Sequence, residues 1–377
     1  MKYFLIAGEA SGDLHASQLI AALRERDTEA QFQFLGGDMM AAAAGVEPLM
    51  HYRDMAYMGF VEVIKHLPTI LGIMRRAKQA IDDMAPHVLI LVDYPSFNLK
   101  LAKYAHQRGI AVHYFISPKV WAWKSWRVKD IKRWVDAMYC ILPFEPAWYA
   151  QRDYAVTYVG NPTVKEVAQA REHFVPRDEF VRQLGLDASK PIVAVVPGSR
   201  VKEICENLPL MLEAVSRHSE CQPVIAAAPS IDSALYERYA PGVTRVEGRT
   251  MELVAHSRVA LVTSGTATLE AAVVGTPQVA CYRANGSKLT YRILRRIIHG
   301  PYVTLPNLIT EEFIIPELLF HMCTADAIDA QLNALLPDGE PRATMLKDYA
   351  RMMEALGSND CAVTTAQAII RTLQQSP

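Results

Sequence analysis

The chain has 377 residues, of which 51% are hydrophobic and 21% charged, and its formal net charge is −1. That length suits roughly two or three globular domains, and the near-neutral charge argues against nucleic acid as the main partner. Six cysteines, at 140, 205, 221, 281, 323 and 361, form no CxxC pair and read as reduced cytosolic thiols; no apolar run reaches the ~18 residues of a membrane span, and the chain opens without a signal-type apolar region, so a soluble or peripheral protein is expected.

In chain order, Tyr3 to Ala7 reads as a buried strand, and Gly8-Glu9-Ala10-Ser11-Gly12-Asp13 turns from it into a helix. The turn is not GxGxxG, so the dinucleotide fingerprint is absent. Two roles fit it: Ser11 or Asp13 capping the helix, or Glu9, Ser11 and Gly12 lining a substrate crevice. Gln31 to Leu35 reads as the second strand. The stretch from Met55 to Ile64, continued by Leu67, Ile70, Leu71, Ile73 and Met74, is rich in Met and aliphatics. Its Met58, Phe60 and Val61 suit acyl chains or a bilayer surface, and equally suit plain core packing. Val88 to Val92 is the next strand, and Asp93 ends it. A carboxylate at that edge points into a ligand crevice, and burial would raise its pKa, which suits a general base. The competing role is a helix N-cap ahead of Pro95, although Ser96 or Asn98 could cap instead.

Val112 to Ile116 follows. All five tryptophans lie between 121 and 148, and Trp121, Trp123, Trp126 and Trp134 alternate with Lys124, Arg127, Lys129, Lys132 and Arg133. Such a mixture suits a membrane interface or an anionic amphiphile, single-stranded nucleic acid, or core tryptophans under snorkelling lysines. Ala137 to Leu142 and Thr157 to Val159 complete the first set of strands, and the charged segment 160–190 reads as the end of the first domain and a linker. The second half repeats the alternation, with strands near 192–196, 223–227, 243–246, 259–262 and 278–282. The fold class is therefore α/β, with two doubly wound parallel domains. The expected boundaries are 1–165 and 186–345. Helices over 346–377, with Met345, Tyr349, Met352, Met353 and Leu356 at helical spacing, are expected to pack back on an N-terminal domain, the chain's own or a partner's.

Two turns in the second half carry most of the chemistry: Pro197-Gly198-Ser199-Arg200, and Thr263-Ser264-Gly265-Thr266-Ala267-Thr268-Leu269-Glu270. Each leaves an apolar strand and opens a helix. Unpaired N–H groups and small residues there make a place for a diphosphate. Arg200 and Lys202 oppose the helix dipole unless an anion binds beside them, and Glu203 is placed to orient Arg200. Ser199 as N-cap would want Glu or Gln at 202, where Lys202 stands. Glu270 fits two roles, accepting ribose hydroxyls or complementing the dipole. A further basic stretch runs from Arg283 through Lys288, Arg292, Arg295 and Arg296 to His299. The histidines show no metal spacing, so no metal is expected.

On these residues the chain resembles the lipid-A-disaccharide synthases, glycosyltransferase family 19, nearly end to end. The resemblance is carried by Gly8 to Asp13, Met58-Gly59-Phe60-Val61-Glu62-Val63, Asp93-Tyr94-Pro95, Ser117-Pro118-Lys119-Val120-Trp121-Ala122-Trp123, Leu142-Pro143-Phe144-Glu145, the two turns above, and Pro306-Asn307-Leu308. It implies a GT-B fold, two Rossmann-like domains facing a central cleft, and an inverting transfer. The donor would be UDP-2,3-diacylglucosamine and the acceptor 2,3-diacylglucosamine 1-phosphate (lipid X). The products would be the β-1,6 lipid A disaccharide 1-phosphate and UDP.

By the same resemblance Asp93 is the base and Arg200 the diphosphate-side arginine. Glu270 and Asn307 match the family's donor-side positions, beside Gly198, Ser199, Ser264, Gly265 and Thr266 of the two turns read above as a diphosphate place. It implies no cofactor, no nucleic acid partner, and work at the anionic inner-membrane surface, on the cytoplasmic side, in a Gram-negative bacterium; a homodimer is left open. Two positions depart from the family pattern: Ser96 stands where an aspartate is common, and Lys119 where a small residue is usual. The alternatives on this fold are a UDP-N-acetylglucosamine 2-epimerase-like enzyme or another UDP-sugar transferase; a non-enzymatic nucleotide-sensing or peripheral membrane module is a third.

Overall fold

The computed structural model describes residues 1–55, 67–122, 124–263, 265–283 and 301–375. Met58, Phe60, Val61, Trp123, Ser264 and the cations from Lys288 to His299 lie outside them. The chain divides into two compact units, Met1–Pro162 with Ser358–Pro377, and Thr163–Gly357.

In the first unit seven strands form one parallel sheet in the order β3-β2-β1-β4-β5-β6-β7. They are β1 (Lys2–Ala7), β2 (Gln31–Gly36), β3 (Met50–His51), β4 (Val88–Val92), β5 (Ala111–Phe115), β6 (Ala137–Cys140) and β7 (Thr157–Tyr158). Helices cover both faces, so a central strand is apolar at every position, as in the fully buried Val-Leu-Ile-Leu-Val of β4. Alternate residues of β1 feed separate cores: Tyr3 and Leu5 on one face, Phe4 and Ile6 on the other.

The second unit repeats the plan in the order β10-β9-β8-β11-β12-β13, again all parallel. Its strands are β8 (Ile192–Val196), β9 (Gln222–Ala227), β10 (Arg245–Glu247), β11 (Val259–Val262), β12 (Gln278–Tyr282) and β13 (Glu317–Leu319). The order in which strands are added reverses beside the first strand of each sheet, between β1 and β4 and between β8 and β11. The registers Ala7↔Val92 and Val196↔Val262 bring the carboxyl ends of those pairs level. Turns leaving such a pair diverge to opposite faces and open a crevice between them.

Two sequence expectations are corrected. The segment 160–190 is neither the end of the first domain nor a linker, because from Thr163 it belongs to the second unit and carries the helices Pro162–Arg171 and Arg177–Gln183. Phe180 and Val181 are buried, and Val175 N–H donates to Glu252 of the second unit at 2.8 Å. Residues 346–377 do not travel together either. The helix Glu340–Leu356 belongs to the second unit, where Gln278 Nε2 donates to the Tyr349 hydroxyl at 3.2 Å. Only Cys361–Gln375 lies on the first unit, burying Cys361, Ala362, Ala366 and Ile369 against the helix Ala10–Arg24 and its sheet.

Candidate active site

In the second unit Gly198 follows β8 at φ +108°, and a Cβ there would come within 2.5 Å of the Glu203 carboxylate. Glycine is thus needed on both counts, conformation and space. The helix Val201–Val215 has Arg200, not Ser199, at its N-cap, so the third helical position is Glu203 rather than Lys202. Its carboxylate reaches back to the Ser199 N–H at 3.1 Å and pairs with Arg200 Nη1 at 3.3 Å. Glu203 thus stands at the capping-box position N3, but it accepts from the residue before the N-cap rather than from the N-cap itself. The guanidinium is 74% exposed and available to an anion.

The turn after β11 runs through Gly265, at φ +142°, into the helix Thr266–Val274. These two turns, with Thr263 and Glu270, line one cavity of about 1090 Å³. Glu270 is half-buried there; burial lifts its pKa, and the Glu166 charge lifts it further. The Thr263 hydroxyl is buried with no hydrogen-bond partner among the described residues. The sequence placed Thr263 at the start of this turn without giving its hydroxyl a role.

Asn307 does not belong to this cavity. Its side chain is fully buried and its amide is spent inside the unit. Nδ2 donates to the Ile315 carbonyl at 3.0 Å and to Glu317 at 2.9 Å, and Oδ1 accepts from Ile314 and Ile315 N–H, both at 2.9 Å. The donor-side assignment is therefore corrected: Asn307 pins the segment before β13.

In the first unit Asp93 stands at the carboxyl end of β4, beside Gly8 at the end of β1. It is not the cap of the next helix, whose N-cap is Tyr94 and whose first residue is Pro95. Burial raises the Asp93 pKa, while the Lys119 charge and the Tyr94 N–H lower it part of the way back. Glu9 is the N-cap residue of Ala10–Arg24 without a side-chain cap bond to that helix, and Ser11 is exposed. Gly12 lets that helix approach β1, since a Cβ would meet the Ala7 Cβ at 3.3 Å. Asp13 caps a different helix from its own. It accepts Gly37 N–H at 2.7 Å, Met39 N–H at 3.1 Å and Met40 N–H at 3.2 Å at the start of Asp38–Ala44. Of the two departures, Lys119 is exposed near Asp93, and Ser96 accepts from Arg127 Nη2 at 3.0 Å.

The four described tryptophans do not form one exposed patch. Trp121 is only 7% exposed, edge-on to Phe144, and its Nε1 donates to Glu145 at 3.2 Å, so its place as a membrane or acyl contact is corrected. Trp126 is 65% exposed. Trp134 and Trp148 carry Arg133 and Arg152 on their faces, at 4.5 and 3.7 Å. Glu145 itself is a buried carboxylate that also accepts from the Ser117 hydroxyl and from Leu142 N–H at 3.0 Å. Burial pushes it up to about 7 against those donors. Glu145→Ala is expected to cost ~3 kcal/mol in urea unfolding, because three buried donors lose their acceptor.

A raised folded pKa means the Glu145 contribution is present below the ordinary carboxylate range and lost as pH rises toward 7. Between about pH 5 and pH 8 the wild-type melting temperature should therefore fall more than that of Glu145→Gln. Among the described residues no group of three or more His, Cys, Asp or Glu could hold a metal ion, and no helix is long and apolar enough to cross a membrane.

Two Rossmann-like parallel sheets, each with polar turns at its switch point, define the GT-B class. Solved structures with this fold include a UDP-GlcNAc 2-epimerase from Neisseria meningitidis bound to UDP-GlcNAc (TM-score 0.67, 11% identity, all of both chains). A calicheamicin glycosyltransferase aligns with TM-score 0.60 and 16% identity over 100% of this chain and 99% of its own. The family model described as lipid-A-disaccharide synthetase matches residues 3–370. A lipid-A-disaccharide synthase of Myxococcus xanthus is 40% identical over 99% of this chain and 97% of its own length; one from Koribacter versatilis is 35% identical over 99% and 98%. The chain belongs to the lipid-A-disaccharide synthetase family. It is a glycosyltransferase, a hexosyltransferase of lipid A disaccharide synthesis. The epimerase alternative has only a shared fold behind it, since 11% identity shows no more than that.

Proposed function

We propose an inverting, single-displacement transfer of a 2,3-diacylglucosaminyl unit from UDP to the 6-hydroxyl of 2,3-diacylglucosamine 1-phosphate. The observation that carries this reading is that Asp93 and Arg200 each stand at the switch point of their own sheet. Asp93 takes the acceptor's hydroxyl proton as the oxygen attacks the anomeric carbon, on the face opposite UDP. Arg200, with the helix N-termini behind Gly198-Ser199 and Gly265-Thr266, takes the charge growing on the leaving diphosphate. Glu270 is assigned to the ribose side, and Glu9, Ser11 and Gly12 to the acceptor side. Product analysis with diacylated donor and acceptor tests the reading. Equal amounts of disaccharide 1-phosphate and UDP are expected, and UDP release without acceptor at the same rate would refute it.

The same reading places the protein on the cytoplasmic face of an anionic inner membrane. Exposed Trp126 and Leu71 support it, as does a groove of about 400 Å³ where Ile70, Leu71 and Met74 meet Lys78, Lys100 and Lys103. Flotation with anionic vesicles is expected to carry the protein, and added salt to release it. Failure to float at every salt concentration counts against the membrane assignment.

A further inference from the structure

Asp93 and Tyr94 have φ of +43° and +48°, two successive non-glycine residues in the left-handed region. Their own side chains crowd the backbone there, and tyrosine lacks the short polar side chain that lets Asn or Asp bond locally in that region. Contacts from elsewhere in the unit hold the pair in place. The Tyr114 hydroxyl, on β5, donates to the Asp93 carbonyl. Asn98 Nδ2 donates to the same carbonyl at 2.7 Å and to the Val92 carbonyl at 3.3 Å. The Asp93 N–H donates to the Phe115 carbonyl at 3.2 Å. Behind the turn the Tyr94 ring covers Gly8, where a Cβ would come within 2.5 Å of it, and the Tyr94 hydroxyl donates to the Met55 carbonyl at 3.1 Å. Tyr114 and Asn98 are both fully buried, so neither offers its side chain to a ligand from solvent.

We propose that Tyr114 and Asn98 are positioning residues for Asp93. By fixing the Asp93 carbonyl they fix a left-handed peptide, and with it the direction in which the carboxyl leaves the strand. A side chain leaves the backbone along its Cα–Cβ bond. Relaxation of Asp93 to extended or right-handed backbone therefore swings the carboxyl away from its place. The inference rests on Asp93 being the proton acceptor, as set out above. A misplacement of ~1 Å can cost ~10²-fold in rate.

The test uses the full-length protein with diacylated donor and acceptor. Tyr114→Phe and Asn98→Ser should each lower kcat about 10- to 100-fold, with the donor KM little changed, and should add no further loss in an Asp93→Asn background. Tyr114→Phe keeps the ring, so it separates the lost bond from a packing defect; its melting temperature reports whether folding survives. Wild-type kcat in Tyr114→Phe, or an equal loss in the Asp93→Asn background, would overturn the proposal. If Asp93→Asn turns over normally, the base assignment is what fails. The crystal structure of Tyr114→Phe then decides the positioning claim by itself. Asp93 is expected outside the left-handed region, and an unmoved Asp93 at positive φ refutes the lock.

Discussion

Asp93→Asn is expected to lower kcat by about 10²- to 10⁴-fold, the usual contribution of a positioned base, and to leave UDP affinity unchanged. The amide keeps the size and shape of the carboxyl and removes its basicity. UDP affinity should hold because the turns assigned to the diphosphate are built from the other unit. The same assignment sets a pH dependence. A base works ionised, so kcat/KM must rise with pH through the Asp93 pKa. Burial raises that pKa, which puts the acidic limb above the ~4 of an ordinary aspartate. The Lys119 charge lowers it, so Lys119→Ala should move the limb to higher pH. Initial rates of UDP release across the acidic range measure both effects. Normal turnover of Asp93→Asn removes the base assignment, and a limb that moves downward in Lys119→Ala removes the electrostatic account.

Arg200→Ala should cost about 10²- to 10³-fold in kcat, as expected for a donor aimed at charge that grows in the transition state. Its guanidinium is mostly exposed and tethered at one nitrogen by Glu203, which leaves the other donors for a diphosphate. Arg200→Lys should recover only part of the loss, since an ammonium cannot form the two-pronged contact. Glu203→Gln should act more weakly through the same residue, because the amide still holds the turn but no longer steers a cation. Calorimetric titration of UDP together with steady-state rates separates binding from chemistry. An Arg200→Ala enzyme within twofold of wild type would end the leaving-group assignment.

The alternation of apolar runs and helical stretches located both sheets. Two strands, Met50–His51 and Glu317–Leu319, escaped it; both are short edge strands, like Thr157–Tyr158 and Arg245–Glu247, which were read from the chain. The two diphosphate-type turns and Asp93 were legible because each stands where an apolar strand stops, and the switch point then collects such ends. Trp121 and Trp126 were not separable by composition. They are five residues apart in sequence, and one is buried on Glu145 while the other faces solvent. Asn307 was misread for a related reason: an asparagine ready for a ligand and one spent on backbone look identical in a string of letters.

The chain's own order of apolar, polar and glycine residues determined the two-sheet plan, the switch-point turns and the candidate base and arginine. A strand covered on both faces must be apolar throughout, and a tight turn into a helix must admit small residues, so these demands are local. The three-dimensional fold alone decided which donors meet which acceptors. Tyr114 lies 21 residues from the carbonyl it holds and Ser117 28 from the carboxylate it meets. Nothing periodic along the chain encodes such pairings, because they exist only once the sheet has set its neighbours and its register.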